Sequence, residues 1–269
     1  MRILLTNDDG IGATGLQTLR RHLRQIEGVK LDVIAPDSNR SASARSITTR
    51  SPLSVQEIQF EDGDLGHATD GTPVDCVRFA DVGLLGERPD LIVSGINHGL
   101  NIGDDVTYSG TVAAAFEGII LGIPAVSVSQ QSSEREMGYM PQRSYDFELA
   151  ARFTADTVRE LIKHPMPDGT LLNINVPGTD PEGVEVTRLG KRLYQDELRK
   201  VETDEETGRT SYRIYGYEPE KGDEEGTDIG AIARDRVSVT PLHLDLTDHG
   251  GLDGLKQRDF ERVLGATKG

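Results

Sequence analysis

Residues 2–35 read RILLTNDDGIGATGLQTLRRHLRQIEGVKLDVIA, and this stretch decides the fold class. RILLT (2–6) and LDVIA (31–35) are short apolar runs closed by turn-forming residues, the pattern of buried strands. Between them GLQTLRRHLRQIE (15–27) spaces Leu16, Leu19, Leu23 and Ile26 as one apolar helical stripe, with arginines on the other face. Strand, helix and strand in such quick succession form a βαβ unit, and its crossover makes the two strands parallel.

Further along, LIVSG (91–95), PAVSV (124–128) and LLNINV (171–176) read as strands. GTVAAAFEGIIL (110–121) and FELAARFTADTVRELIK (147–163) read as helices between them, the second with Phe147, Ala150, Ala151, Thr154, Val158 and Leu161 along one face. This alternation predicts a doubly wound α/β domain with a mostly parallel sheet, whose ligands bind at the carboxyl ends of the strands. After Pro177 the character changes. Residues 195–228 are acidic and broken by glycines around SYRIYGYE (211–218), which reads as an extended hairpin arm. RVSVT (236–240) is a last strand and LDGLKQRDFERVL (252–264) a terminal helix. The expected division is a catalytic core over 1–178 and a C-terminal extension over 179–269 that serves oligomerisation.

Composition narrows the function. A chain of 269 residues can bury one large core, alone or with an appendage. A net charge of -16 argues against general nucleic-acid binding, which needs a basic footprint. No apolar window is long enough for a membrane span, and no basic-then-apolar leader opens the chain, so neither a membrane partner nor secretion is expected. The single Cys76 cannot form an internal disulfide; it reads as a small core residue of a protein in a reducing cytoplasm. Seven lysines stand against twenty-two arginines. An ordinary acidic cytosolic enzyme and adaptation to high internal salt both fit that balance.

The chemistry gathers at the strand ends. Asp8 and Asp9 follow the first strand, the loop DSNRSASARS (37–46) with Ser41 follows the second, and Asn97 in SGINHG lies just past the LIVSG strand. Two adjacent carboxylates repel unless a cation joins them. Two carboxylates, a hydroxyl and an amide are hard oxygen donors, which suit Mg²⁺ or Mn²⁺ with room left for water. The same residues also allow a plainer use, in which the aspartates merely cap the next turn. One loop on, Ser109, Gly110 and Thr111 open the alanine-rich helix, where free N–H groups and the helix dipole favour an anion. Ser109 or Thr111 could equally be an ordinary N-cap. GLNIGDDV (99–106), with Asn101, Asp104 and Asp105, forms the wall between them.

A divalent cation beside an anion hole is a phosphate-hydrolysis arrangement. The chain has no GxxxxGK[ST] loop, and GIGATG (10–15) has its glycines at the wrong offsets for a dinucleotide fingerprint. A receiver domain needs a phospho-accepting aspartate after the third strand, where this chain has Asn97.

These motifs resemble the SurE family of metal-dependent nucleotidases. The likeness runs through NDDGIGATG (7–15), APDSNRSASARSIT (35–48), GTPVDCV (71–77), SGINHGLNIGDDVTYSGTVAAAFEG (94–118), NINVP (173–177) and GTDIGAIARDRVSVTPL (226–242). The resemblance implies a Rossmann-like core and an extended C-terminal part exchanged between subunits in a homodimer or homotetramer. It implies a nucleoside 5′-monophosphate phosphohydrolase, often also active on 3′-nucleotides; another phosphomonoester or short polyphosphate as the real substrate is a separate possibility that the sequence leaves open. It also implies one divalent cation per subunit on Asp8, Asp9, Ser41 and Asn97, with Asp8 and Asp9 catalytic. Asn101, Arg45 and His98 are candidates for the substrate pocket. Family members commonly carry glycine after the serine and Asn or His shortly before SIT; this chain has Ala42 and Arg45. A phosphate-sensing module using the same crevice is the competing class, and phosphate release from AMP separates the two.

Overall fold

In a computed structural model, which describes residues 1–135, 143–191, 198–213 and 224–267, strand β1 (Arg2–Thr6) is buried at all five positions. Such burial belongs to a strand covered on both faces. Helix α1 (Thr14–Leu23) leads from β1 to β2 (Lys30–Pro36), which pairs with it in parallel, Leu5 opposite Val33. A hairpin follows, β3 (Val55–Gln59) and β4 (Leu65–Thr69), and then α2 (Pro73–Asp81). Strand β5 (Leu91–His98) lies on the other side of β1, also parallel, with Leu5 opposite Val93. A short 3₁₀ turn (Gly103–Thr107) and α3 (Gly110–Ile120) lead to β6 (Ala125–Gln130); α4 (Glu148–Lys163) leads to β7 (Leu171–Val176). Beyond these come β8 (Gly183–Val186), β9 (Arg199–Thr203), β10 (Thr210–Arg213), α5 (Asp228–Ala233), β11 (Arg236–Leu242), α6 (Leu252–Lys256) and α7 (Phe260–Thr267).

The nine-stranded sheet runs β3-β4-β2-β1-β5-β6-β7-β11-β8. Leu16, Leu19 and Leu23 of α1 join Ala150, Ala151, Ala155 and Val158 of α4 in the core on one face. Cys76 and Val77 of α2 meet Val112, Ala114 and Ala115 of α3 on the other. The expected doubly wound α/β architecture is therefore present, its small alanines allowing α3 to lie close on the sheet. From beyond residue 178, β11 pairs antiparallel with β7 and parallel with β8, closing that side of the sheet.

Several local readings change. Strand β5 runs on through Asn97 to His98, with a register shift between Ser94 and Asn97, so Asn97 stands on the strand's last turn of pleat and not past its end. Arg20 is buried, not on an outer polar face. The β3–β4 hairpin folds over α1, bringing Asp62 and Asp64 to the guanidinium at 2.6 and 2.8 Å and Phe60 beneath it at 4.2 Å. Neither the hairpin nor α2 stands out by apolar periodicity. Helix α2 announces itself instead by its start: Thr72 and Asp75 form a capping box, with Pro73 at the first turn.

The terminal helix is two helices. Asp259 accepts the N–H of Arg262 at 2.8 Å and so begins α7 afresh, since aspartate caps better than it continues a helix. Of SYRIYGYE, Ser211–Arg213 belong to β10, paired antiparallel with β9, and 214–218 lie outside the described residues.

Candidate active site

The turn after β1 is built by Asn7. Its buried side chain donates to the Gly10 carbonyl at 3.0 Å and accepts the Gly10 N–H at 3.2 Å, so that Asp8 and Asp9 are held between. The Ile11 N–H donates to the Pro36 carbonyl at 2.8 Å, tying this turn to the end of β2. Two carboxylates thus project from one rigid turn at the carboxyl edge of the sheet, where doubly wound folds place their ligands.

Asp8 is buried against the N-terminus of α3. It accepts from the Thr111 hydroxyl, which also lies 3.4 Å from the Asn97 side-chain oxygen. Gly110 makes this approach possible, because a Cβ there would stand 2.8 Å from both Cβ and Oδ2 of Asp8. Ser109 is the N-cap, accepting the Val112 N–H at 3.1 Å. Asp9 Oδ2 accepts the His98 N–H at 3.0 Å, and Oδ1 accepts from the Asn39 amide at 3.2 Å.

Both carboxyls are pushed up to about 6, by burial first and, for Asp8, by the charge of Asp9 next; the donors on each pull the other way. The basic side chain beside them is the imidazole of His98, with Nδ1 4.0 Å from Asp9 Oδ1. Burial pushes that imidazole down, and it stacks on Phe147 and Tyr145 with centroids 4.8 and 5.2 Å away. His98 therefore adds little compensating charge at neutral pH.

Ser41 is exposed in the loop after β2. Its N–H donates to Asn39 Oδ1 at 2.8 Å, and the neighbouring Arg40 N–H donates to the Asp8 carbonyl at 2.6 Å. The loop then turns through Ala42 and Ala44, both left-handed at φ 57° and 51°, and the Ala44 N–H donates to the Tyr108 carbonyl at 3.1 Å. Ala42, the place where the resemblance to the family implies glycine, thus has a conformation that glycine adopts more readily. Arg45 is exposed, and no hydrogen bond or ion pair joins it to Asp8 or Asp9 among the described residues.

Asn101 is buried in a polar network behind the edge. Its N–H donates to Asn175 Oδ1 at 2.8 Å, its carbonyl accepts from Asn173 and Asn175, and its amide donates to Ser129 at 2.8 Å. It supports the wall more directly than it faces an open pocket. Buried Asp228 fixes the next turn, accepting the N–H groups of Gly103 and Gly190 at 2.8 and 2.7 Å. Two asparagines at alternate positions of a buried strand, as in NIN, are the signal by which this network is legible; the role of Asp228 has no local signal.

Among the described residues no group of three or more His, Cys, Asp or Glu side chains is arranged to hold a metal ion. Two carboxylates would need neutral oxygens, such as the amide of Asn97 and the hydroxyl of Ser41, to complete a ligand set. No helix among the described residues is long and apolar enough to cross a membrane.

Comparison with known proteins gives the family. Residues 3–196 match the family described as Survival protein SurE. The chain is 48% identical over 268 residues to the 5'-nucleotidase SurE of Rubrobacter xylanophilus, covering 98% of this chain and 99% of that one. It is 46% identical to the 5'-nucleotidase SurE of Pelobacter propionicus over 94% of this chain and 97% of the other. The crystal structure of the SurE protein from Aquifex aeolicus superposes with a TM-score of 0.78 at 38% identity, over 95% of this chain and 98% of that one. With its aspartate pair on the first turn of a doubly wound sheet and this likeness over nearly its whole length, the chain belongs to the SurE family.

Proposed function

We propose that the protein is a 5′-nucleotidase, releasing inorganic phosphate from nucleoside 5′-monophosphates at the Asp8–Asp9 edge. The observation that carries the reading is the pair itself: two adjacent carboxylates, largely buried, pushed up by burial, with no Lys or Arg paired to either among the described residues. Such a pair fits a divalent cation, and Asp8, Asp9, Asn97 and Ser41 would hold it. Hard oxygen donors favour Mg²⁺ or Mn²⁺. When bound, the cation neutralises phosphate oxygens and acidifies water.

The chain's own residues do the rest. Thr111 and the His98 N–H fix the rotation of the two carboxylates, so they meet the substrate preorganised. Since Asp8 takes the Thr111 hydroxyl and Ser109 takes the Val112 N–H, a phosphate at this end of α3 is held by the N–H groups of Gly110 and Thr111 and the Ser109 hydroxyl proton. The helix dipole favours the anion there. His98, stacked on Phe147 and Tyr145, forms an aromatic wall beside the carboxylates.

The extension over 179–269 serves assembly into a homodimer or homotetramer. Leu252, Leu255, Phe260, Val263 and Leu264 are exposed on α6 and α7, and the two-stranded β9–β10 sheet is marginal alone in water. A cytoplasmic location fits the single buried Cys76.

Phosphate release is the test, across 5′- and 3′-nucleotides, sugar phosphates and polyphosphate, with Mg²⁺, Mn²⁺ or a chelator. Release from AMP that the chelator abolishes is expected; no release above the blank with either metal refutes the reading. Light scattering on the full chain tests assembly, and a monomer at micromolar concentration refutes it.

A further inference from the structure

Asn39 joins two of the segments on which the proposed cation site depends. Its Nδ2 donates to Asp9 Oδ1 at 3.2 Å, and its Oδ1 accepts the Ser41 N–H at 2.8 Å. The orientation of the amide is unambiguous. A carboxylate oxygen only accepts and a backbone N–H only donates, so the reversed amide would lose both bonds. We infer that Asn39 is a positioning residue for the cation: one planar amide sets the rotation of the Asp9 carboxylate and holds the Ser41 turn against it. The inference rests on the cation reading above.

The geometry explains why an asparagine stands here. Asp9 Oδ2 is already held by the His98 N–H on the far side, so a second donor on Oδ1 fixes the carboxylate plane from both ends. Serine or threonine could supply donor and acceptor only from one atom, and aspartate at neutral pH would supply no donor. The Ser41 turn needs the tie because it continues into left-handed Ala42 and Ala44, conformations that cost non-glycine residues energy. Ser38, one residue before, donates instead to Asp37 at 2.7 Å and has no hydrogen bond to Asp9. It is the natural control on the same loop.

The experiment is a Mn²⁺ titration of the full chain, followed by the paramagnetic resonance of free Mn²⁺, for the wild type, Asp9→Asn, Asn39→Leu, Asn39→Ala and Ser38→Ala. Outer partners of metal ligands typically change affinity by about tenfold or more. The wild type should bind one Mn²⁺ and Asp9→Asn should lose it. Both Asn39 variants should bind roughly tenfold more weakly, with Ser38→Ala matching the wild type and all melting alike without metal. Phosphate release from AMP against Mn²⁺ should show the half-saturating Mn²⁺ rising by the same factor, with wild-type turnover restored by excess Mn²⁺. A fold defect would lower turnover at every Mn²⁺ concentration. If Asp9→Asn loses Mn²⁺ while the Asn39 variants bind it as Ser38→Ala does, the inference is overturned and the cation reading stands. If the wild type binds none, both fall.

Discussion

Replacing Gly110 by alanine should damage the protein through Asp8. The added Cβ would stand 2.8 Å from both Cβ and Oδ2 of Asp8, closer than Cβ atoms are found to any heavy atom. Asp8 cannot give way freely, because it is buried and bonded to Thr111. Relief requires the carboxylate to leave the Thr111 hydroxyl, at a cost of about 1.5–3 kcal/mol for a hydrogen bond to a charged group. Residual overpacking adds about 1 kcal/mol or more. Alanine's helix propensity returns at most about 1 kcal/mol. The balance is roughly 2–4 kcal/mol of lost stability, and at about 2 °C per kcal/mol for a chain of this size Tm should fall by roughly 4–8 °C. Calorimetry of Gly110→Ala beside Gly12→Ala, whose Cβ would meet nothing within 4 Å, measures it. A Gly110→Ala protein that melts and turns over like the wild type would refute the reasoning.

Asp9→Asn should lose turnover on AMP by roughly a hundredfold or more at a Mn²⁺ concentration that saturates the wild type, while keeping the wild-type circular dichroism, since the cation is expected to supply several kcal/mol. Ala42→Gly should raise stability by about 0.5–1 kcal/mol, because relief of a left-handed alanine at φ 57° exceeds the entropy glycine adds to the unfolded chain; denaturant midpoints check it. Asp105 is pushed up to about 7, by burial first and then by the charges of Asp104 and Asp228. The native state therefore holds its proton more tightly than the unfolded chain, so this group's contribution falls as pH rises from about 4 to about 7. Asp105→Asn should leave stability at pH 4 unchanged and raise it at pH 8 by about 1–2 kcal/mol, a figure reduced for partial exposure; melts at the two pH values decide it.

Local pattern was enough for the α/β class and for the order of the core strands and helices, because apolar spacing repeats within a few residues of itself. It was enough, too, to put Asp8, Asp9, Asn97 and Thr111 on one edge, since each follows or opens an element whose direction the βαβ rule sets. The break between α6 and α7 was also written locally, in Asp259, but the helical spacing of Leu252, Leu255, Phe260 and Val263 masked it. What tertiary structure alone decided were the partners. Arg20 shares a helix with other arginines, and only a hairpin carrying Asp64, 44 residues on, makes its burial tolerable. Ser109, Gly110 and Thr111 read as an anion hole open to phosphate, yet the Thr111 hydroxyl is turned on Asp8, 103 residues away. Asn101 looked like a pocket residue and is held by Asn173 and Asn175, over seventy residues downstream. A buried charge or amide takes its role from whichever group satisfies it, and no periodicity in a single segment records a partner that the fold delivers from another.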